Sequence, residues 1–450
     1  MNRKIVSDLQ HWFQRKARKP LLLRGARQGG KATAVRLFCA QNKIPLLEIN
    51  LEKNRSLDAV FATLNMKKIL MALQTVLGRP VIDGGLLFLD EIQETPHAIE
   101  ALRYFYEEYP QIPVIGAGSL LEMVLQNHEF AMPVGRIEFM SLGPMLFSEF
   151  LMAKGLDHLA QIICSTQNVS ELDVVTHQAL VQHWRTYLFV GGMPEAVNLW
   201  AETADLDEDT QKSIRRVQKS IVETYRADFP KYSRDRAELR VTKVYDYVPH
   251  ALGEKIRYSR ISSEDQSRDL KKATELLIQA RVVLPVYHCA ASGLPLSATR
   301  SESVYKLFYL DVGLVSAIQG LSFSQLERKM PKPLLTQGSL AEQFVAQHLS
   351  SLSADEAGRP ELYYWLREGK TGNAEVDFII QHEGEVVPLE VKSGTEGSLK
   401  SLHLLCVEKK LTHALRFDLN LASAQKIHKT VSYELKSMPI YAVEAISSLF

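Results

Sequence analysis

The 450-residue chain reads as an α/β protein. A parallel sheet with crossover helices comes first, then a mainly helical stretch, a helix–hairpin unit and a second α/β module. Three observations predict this. Short apolar runs alternate with helical patterns over roughly the first 120 residues, the signature of strand–helix–strand units. A glycine-rich GxxxxGK turn joins the first apolar run to a helix. Acidic residues recur inside apolar runs between 374 and 392, so a second sheet carries charge inward.

The first helix is read from Ile5, Leu9, Trp12 and Phe13, which fall at helical spacing. The segment around them, MNRKIVSDLQHWFQRK, lacks the apolar stretch of a signal peptide. Residues 21–24, 45–51, 86–89 and 113–118 are the four strand candidates, and a helix near 97–108 separates the last two. From about 145 to 226 the pattern turns helical, broken by Gly191-Gly192-Met193-Pro194. Residues 264–283 read as one amphipathic helix with Leu270, Ala273, Leu276, Leu277 and Ala280 on its apolar face. A hairpin over 282–310 follows, turning at Gly293-Leu294-Pro295, with Tyr287 and Tyr305 on its two arms. Pro331 and Pro333 suggest a linker. Beyond it lie a helix from Leu340 to Leu349 and strand-like runs at 361–366, 374–380 and 385–392.

Composition excludes several classes. Hydrophobic residues make up 46% and charged residues 23%, which rules out a disordered chain. Cys39, Cys164, Cys289 and Cys406 form no CxxC pair, which rules out zinc-ribbon and thioredoxin-type sites and fits a reducing cytoplasm. No apolar run approaches the roughly 18–20 residues of a membrane span. Net charge is +1. Yet residues 231–310 hold 14 Lys/Arg against 9 Asp/Glu, so one middle segment is basic and is the candidate nucleic-acid footprint.

The clearest chemistry lies in Gly25-Ala26-Arg27-Gln28-Gly29-Gly30-Lys31. After a strand and before a helix, such a loop curls backbone N–H groups around phosphates, and Lys31 reaches the terminal ones. Asp90 and Glu91 end an apolar strand, where ligands bind in open parallel sheets. Asp90 is assigned to Mg²⁺ through water and Glu91 to polarising the attacking water. A Walker loop places Ser or Thr directly after the lysine as a metal ligand. Here Ala32 takes that place, and Thr33 is rotated by about 100°. ATP binding is therefore expected and hydrolysis is expected to be weakened. Ser119 has two readings, a γ-phosphate or water contact and a helix N-cap. Arg136 is either an arginine finger, acting in cis or across a subunit boundary, or a surface residue.

In the C-terminal module, strand alternation puts Glu390 and Lys392 on one face, and a hairpin brings Asp377 beside them. Asp377 and Glu390 are the expected metal ligands, Lys392 orients the nucleophile, and Glu342 and Glu375 are further carboxylates. A structural ion pair is the bland alternative. Arg268, Lys271 and Lys272 lie off the apolar face of the 264–283 helix. A helix followed by a hairpin is the layout of a winged helix-turn-helix, so these cations are the candidate DNA contacts.

Taken in order, GARQxGK, LLFLDEIQ, Gly191-Gly192-Met193-Pro194-Glu195-Ala196, Phe308-Tyr309-Leu310-Asp311-Val312-Gly313-Leu314, Ala374-Glu375-Val376-Asp377-Phe378 and Pro388-Leu389-Glu390-Val391-Lys392-Ser393-Gly394 make the chain resemble a large prokaryotic family. Its members are AAA+-type ATPases with a C-terminal domain similar to PD-(D/E)xK, restriction-endonuclease-like nucleases. The resemblance implies an AAA+ P-loop core over 1–144, a helical lid over 145–230, a winged helix over 231–330 and a nuclease-like domain over 331–450. The expected cofactors are ATP and Mg²⁺, and the expected partners are DNA and further copies of the chain, with no membrane. The resemblance also implies nucleotide-site roles for Lys31, Asp90 and Glu91, and a nuclease-fold pattern at Glu342, Asp377, Glu390 and Lys392. The family has Ser or Thr at Ala32 and a larger residue at Gly29, departures that bear on turnover rather than fold. The expected function is ATP-dependent action on DNA, branched or foreign, with Mg²⁺-dependent cleavage. The alternative is a nucleotide-gated scaffold that only binds.

Overall fold

A computed structural model describes residues 3–82, 85–119, 135–232, 236–327, 337–352, 361–368, 373–428 and 430–448. The Pro331–Pro333 linker lies outside the described residues.

Five short strands form the first sheet: β1 (Leu21–Gly25), β2 (Leu46–Asn50), β3 (Leu86–Asp90), β4 (Val114–Ala117) and β5 (Glu138–Leu142). All pair in parallel, in the order β2-β3-β4-β1-β5. The strands are apolar on both sides because both faces are covered. Leu22, Leu47, Leu87 and Leu89 face one core with α3 (Met66–Leu77) and α4 (Pro96–Glu108). Leu21, Leu23, Leu86 and Phe88 face the other, with α1 (Lys4–Gln14) and α2 (Lys31–Gln41). The N-terminal helix forms as its spacing predicts. It buries Ile5, Val6, Leu9 and Trp12, each worth about 1.5–3 kcal/mol of transfer free energy. Trp12 Nε1 donates to the Lys19 carbonyl at 2.9 Å.

Helices follow: α5 (Phe147–Ala153), α6 (Val174–Val190), α7 (Pro194–Ala201), α8 (Glu208–Tyr232), α9 (Arg236–Tyr247) and α10 (Ser267–Gln279). The apolar face of α10 is as predicted, with Leu270, Ala273 and Leu277 buried. The helix is shorter than the pattern suggested. It stops because Arg281 takes a left-handed conformation (φ 58°) and Val283 begins a strand.

The hairpin and the C-terminal module are not separate, which corrects the sequence reading. β6 (Val283–His288) and β7 (Tyr305–Tyr309) pair antiparallel. β6 then bonds in parallel to β8 (Leu362–Arg367). With β9 (Ala374–His382), β10 (Glu385–Val391), β11 (His413–Asp418), β12 (Ser423–His428) and β13 (Ser432–Pro439) they make one mixed sheet, ordered β12-β13-β11-β10-β9-β8-β6-β7. α11 (Val312–Ile318) and α12 (Gln337–Leu352) join this sheet to the helical region. Gln343 on α12 accepts from the Tyr309 amide and donates to its carbonyl, both at 2.7 Å. A single buried apolar cluster runs from Phe147 and Tyr187 through Phe344 and Tyr364 to Phe378 and Leu415. No helix among the described residues is long and apolar enough to cross a membrane.

Candidate functional site

Parallel strands put their C-terminal ends on one edge, and the phosphate-type loop lies there. Gly25 ends β1 with φ 147°, and a Cβ on it would stand 2.1 Å from the Leu142 carbonyl oxygen, so the turn requires glycine. α2 begins at Lys31. Its ammonium is folded back, donating to the Gly25 and Ala26 carbonyls at 3.0 and 2.9 Å. A bound phosphate chain would exchange for these two carbonyls. Asp90 ends β3 in register with Ala117 of β4, and Leu23 of β1 pairs with the same Ala117. One strand therefore separates the acid from the loop, at about 5 Å per strand spacing, or roughly 10 Å. That leaves room for phosphates and a hydrated cation between them. Burial is the main cause that raises the Asp90 carboxyl, with the Glu91 and Glu48 charges adding to it and Lys31 opposing. A cation would relieve that charge, so the residues present fit Mg²⁺ beside a nucleotide.

The other predicted nucleotide-site residues divide. Gly29 closes the turn by donating its amide to the Ala26 carbonyl at 3.2 Å. Gln28 is left-handed (φ 59°), as a tight loop requires. Ala32 is partly buried and Thr33 is exposed, and the residue directly after Lys31 carries no hydroxyl. Ser119 is 3% exposed, just beyond β4. Glu91 is left-handed (φ 52°) and its carboxylate accepts from Gln93 Nε2 at 2.5 Å. Two arginines point away from the loop's cradle. Arg27 does not turn into the cradle but pairs with Asp228 of α8, whose neighbour Tyr225 donates to the Arg27 carbonyl at 3.3 Å. Arg136 precedes β5, whose first residue Glu138 pairs with Leu21, the first of β1. Arg136 thus lies at the sheet edge opposite the loop, bound to Glu107 at 2.9 Å, and a finger role in cis is excluded.

Sequence reading missed the residues that brace the loop and the strand ends beside it. Arg3 donates to the Gly29 and Gly143 carbonyls at 3.3 and 2.9 Å and pairs with Glu149 at 2.9 Å. Pro194, at the start of α7, packs against Gly30. Gln93 is 6% exposed, and its Oε1 lies against Gly118.

The C-terminal carboxylates converge as the hairpin predicts. Leu389 pairs with Phe378, which sets Glu390 level with Asp377. Asp377 Oδ2 accepts from the Val391 amide at 2.8 Å. Lys392 Nζ bonds Glu390 Oε1 at 2.5 Å, while the buried Glu390 Oε2 has no partner. Burial, then the Asp377 charge, raises Glu342 and Glu390. Among the described residues no three acids, histidines or cysteines converge as a ready metal cage. The donors present fit a cation held by Asp377 and Glu390 with water completing its shell, as Mg²⁺ accepts. The unforeseen member is Lys306, reaching in from β7 to pair with Glu375.

Of the middle-segment cations, Arg268 is 77% exposed and Lys272 is exposed, while Lys271 faces Glu275 at 3.8 Å. Other basic residues of the segment are neutralised: Arg240 and Lys243 both pair with Asp265, at 2.8 and 2.6 Å.

Comparisons with known proteins divide the chain into three. Residues 17–151 match the family described as AAA domain. Residues 181–325 and 337–433 match families described as domains of unknown function, DUF8612 and DUF4143. No curated protein matches. Similar solved structures include the Aeropyrum pernix ORC1 protein in complex with DNA, at 12% identity over 70% of this chain and 90% of that one, TM-score 0.29. The Aeropyrum pernix ORC2 protein in its ADPNP–ADP complexes gives 13%, 72%, 91% and 0.35. A Pyrococcus horikoshii STAND ATPase with a tetratricopeptide repeat sensor gives 10%, 78%, 45% and 0.25. At such scores the likeness assigns no property to this chain. The AAA match and the five-stranded parallel sheet with its loop together support an AAA-type nucleotide-binding fold for the N-terminal part.

Proposed function

We propose that this chain is an ATP-binding, AAA+-type protein that acts on DNA under nucleotide control. The observation that carries this reading is the placement of Lys31 and Asp90 on one sheet edge with a single strand between them. In this reading the amides of Gly30 and Lys31 hold the phosphates, and Lys31 leaves the Gly25 and Ala26 carbonyls to neutralise the terminal one. Mg²⁺, when bound, supplies charge neutralisation on the phosphates. Asp90 anchors its water shell, and Glu91 accepts the proton of the attacking water once Gln93 releases it. DNA lies along α10, with Arg268, Lys271 and Lys272 on phosphates. Asp377, Glu390 and Lys392 form the cleavage site in this reading. Assembly as a cytoplasmic homo-oligomer, with Arg136 acting across a subunit boundary, completes it.

A second reading is a nucleotide-gated scaffold without turnover, favoured by Ala32 and by the hydrogen bond that ties Glu91 to Gln93. ATP hydrolysis with Mg²⁺, with and without branched DNA, separates the two. DNA-stimulated turnover lost in Lys31→Ala supports the first. ATP binding without turnover, with turnover appearing in Ala32→Ser, supports the second. Absence of ATP binding rejects both.

A further inference from the structure

Lys306 is the strangest residue of the C-terminal sheet. It sits on β7, the hairpin strand at the far edge, yet its side chain is 1% exposed. A buried ammonium persists only when paired and desolvated together with its partners. Its partners are acids that the sequence reading had set aside for a metal. It pairs with Glu375 of β9 and stands 3.9 Å from Glu342 Oε2 of α12. Asp377 also acts on it electrostatically, and the Tyr364 ring centroid is 4.9 Å away. The Gly253 backbone closes over Glu342 from outside; a Cβ there would lie 2.6 Å from Glu342 Oε2.

The four carboxylates differ in their ion-pair partners. Glu342 and Glu375 face Lys306. Asp377 and Glu390 are not among its ion pairs, and the buried Glu390 Oε2 has no hydrogen-bond partner. With two of the four acids paired to an ammonium, three are not left to gather around one ion. We propose that the Lys306 ammonium fills one cation position of this cluster, beside Glu342 and Glu375, so that the site admits at most one divalent ion, at Asp377 and Glu390. The hairpin thus sets the metal count of a site built mostly by other strands. Two-metal sites clamp both the attacking and the leaving oxygen; here a fixed ammonium stands in for one of the two ions. The inference rests on the carboxylate cluster being a cation site, as the proposed function has it.

The test counts Mn²⁺ bound to the full-length protein, by electron paramagnetic resonance of the free ion, without nucleotide. Lys306→Met is expected to bind one more ion per chain than wild type. Adding Glu342→Gln to it should remove that ion, and Lys306→Arg should keep the wild-type count. Lys306→Gln serves as a second neutral variant, and thermal melts confirm that each variant is folded. Equal counts in wild type and in both neutral variants would overturn the proposal. The wild-type count answers a different question. An ion lost in Asp377→Asn supports the metal-dependent reading, and no such ion rejects it, while the difference between variants still decides the role of Lys306.

Discussion

The Gly192 amide donates to Asp311 Oδ2 at 2.6 Å, and this bond ties the turn between α6 and α7 to the N-terminal cap of α11. Gly191 and Gly313 make it possible: a Cβ on Gly191 would stand 2.1 Å from Asp311 Oδ1 and 2.8 Å from the Gly313 backbone. Two residues on, Pro194 packs on Gly30. On the other side Asp311 accepts from Gln347 Nε2 at 3.3 Å, and Gln347 shares α12 with Glu342. The glycine motif and the Asp-Val-Gly-Leu motif are thus two halves of one buried contact.

Asp311→Asn turns at least one acceptor of this contact into a donor facing another donor. The expected cost is about 2–3 kcal/mol of unfolding free energy. Chemical denaturation checks it. ATP affinity should fall as well, because Pro194 loses its anchor; unchanged stability would remove Asp311 from its bridging role.

Glu444 provides a pH signature. It accepts from the Ser148 amide at 2.8 Å and from the Ser148 hydroxyl at 2.5 Å, and burial pushes its carboxyl up to about 7. The folded state then holds a proton that the unfolded chain releases above about pH 4.5. This group's contribution is present at low pH and is lost as pH rises from about 4.5 to about 7. Glu444→Gln removes the titration. Its stability relative to wild type should improve between pH 5 and pH 8, by up to about 3 kcal/mol. A difference that stays flat with pH would contradict the assignment. His348 runs the other way, since burial lowers it to about 4, which is why the test is a mutant difference and not a wild-type curve.

Arg268 and Lys272 are the exposed cations of α10. The double variant Arg268→Glu/Lys272→Glu should weaken duplex DNA binding at least tenfold and flatten its salt dependence by about two units of slope. Fluorescence anisotropy across a salt series measures both. Unchanged affinity would move DNA off this helix.

The sequence was most legible where chemistry is contiguous. The glycine loop, the Asp90-Glu91 strand end and the Asp377/Glu390 hairpin are each local patterns, and each takes the predicted local form. What it concealed is non-local. β6 and β8 pair in parallel across 73 intervening residues, and no periodicity announces such a pairing. Lys306, Asp228, Arg3 and Gln93 act through partners far away in the chain or across a turn. The end of α10 was misjudged for a local reason: a left-handed Arg281 stops it where a glycine would have been the readable signal.

The proposed nucleotide control depends on ATP at the Lys31 loop. Calorimetric titration of ATP with Mg²⁺ into the full-length protein tests this directly, with Lys31→Ala and Asp90→Ala alongside. The account predicts one ATP per chain in the wild type, affinity at least tenfold weaker in Lys31→Ala, and a loss confined to the Mg²⁺-dependent part in Asp90→Ala. Binding that is absent in the wild type, or undiminished in Lys31→Ala, would contradict it.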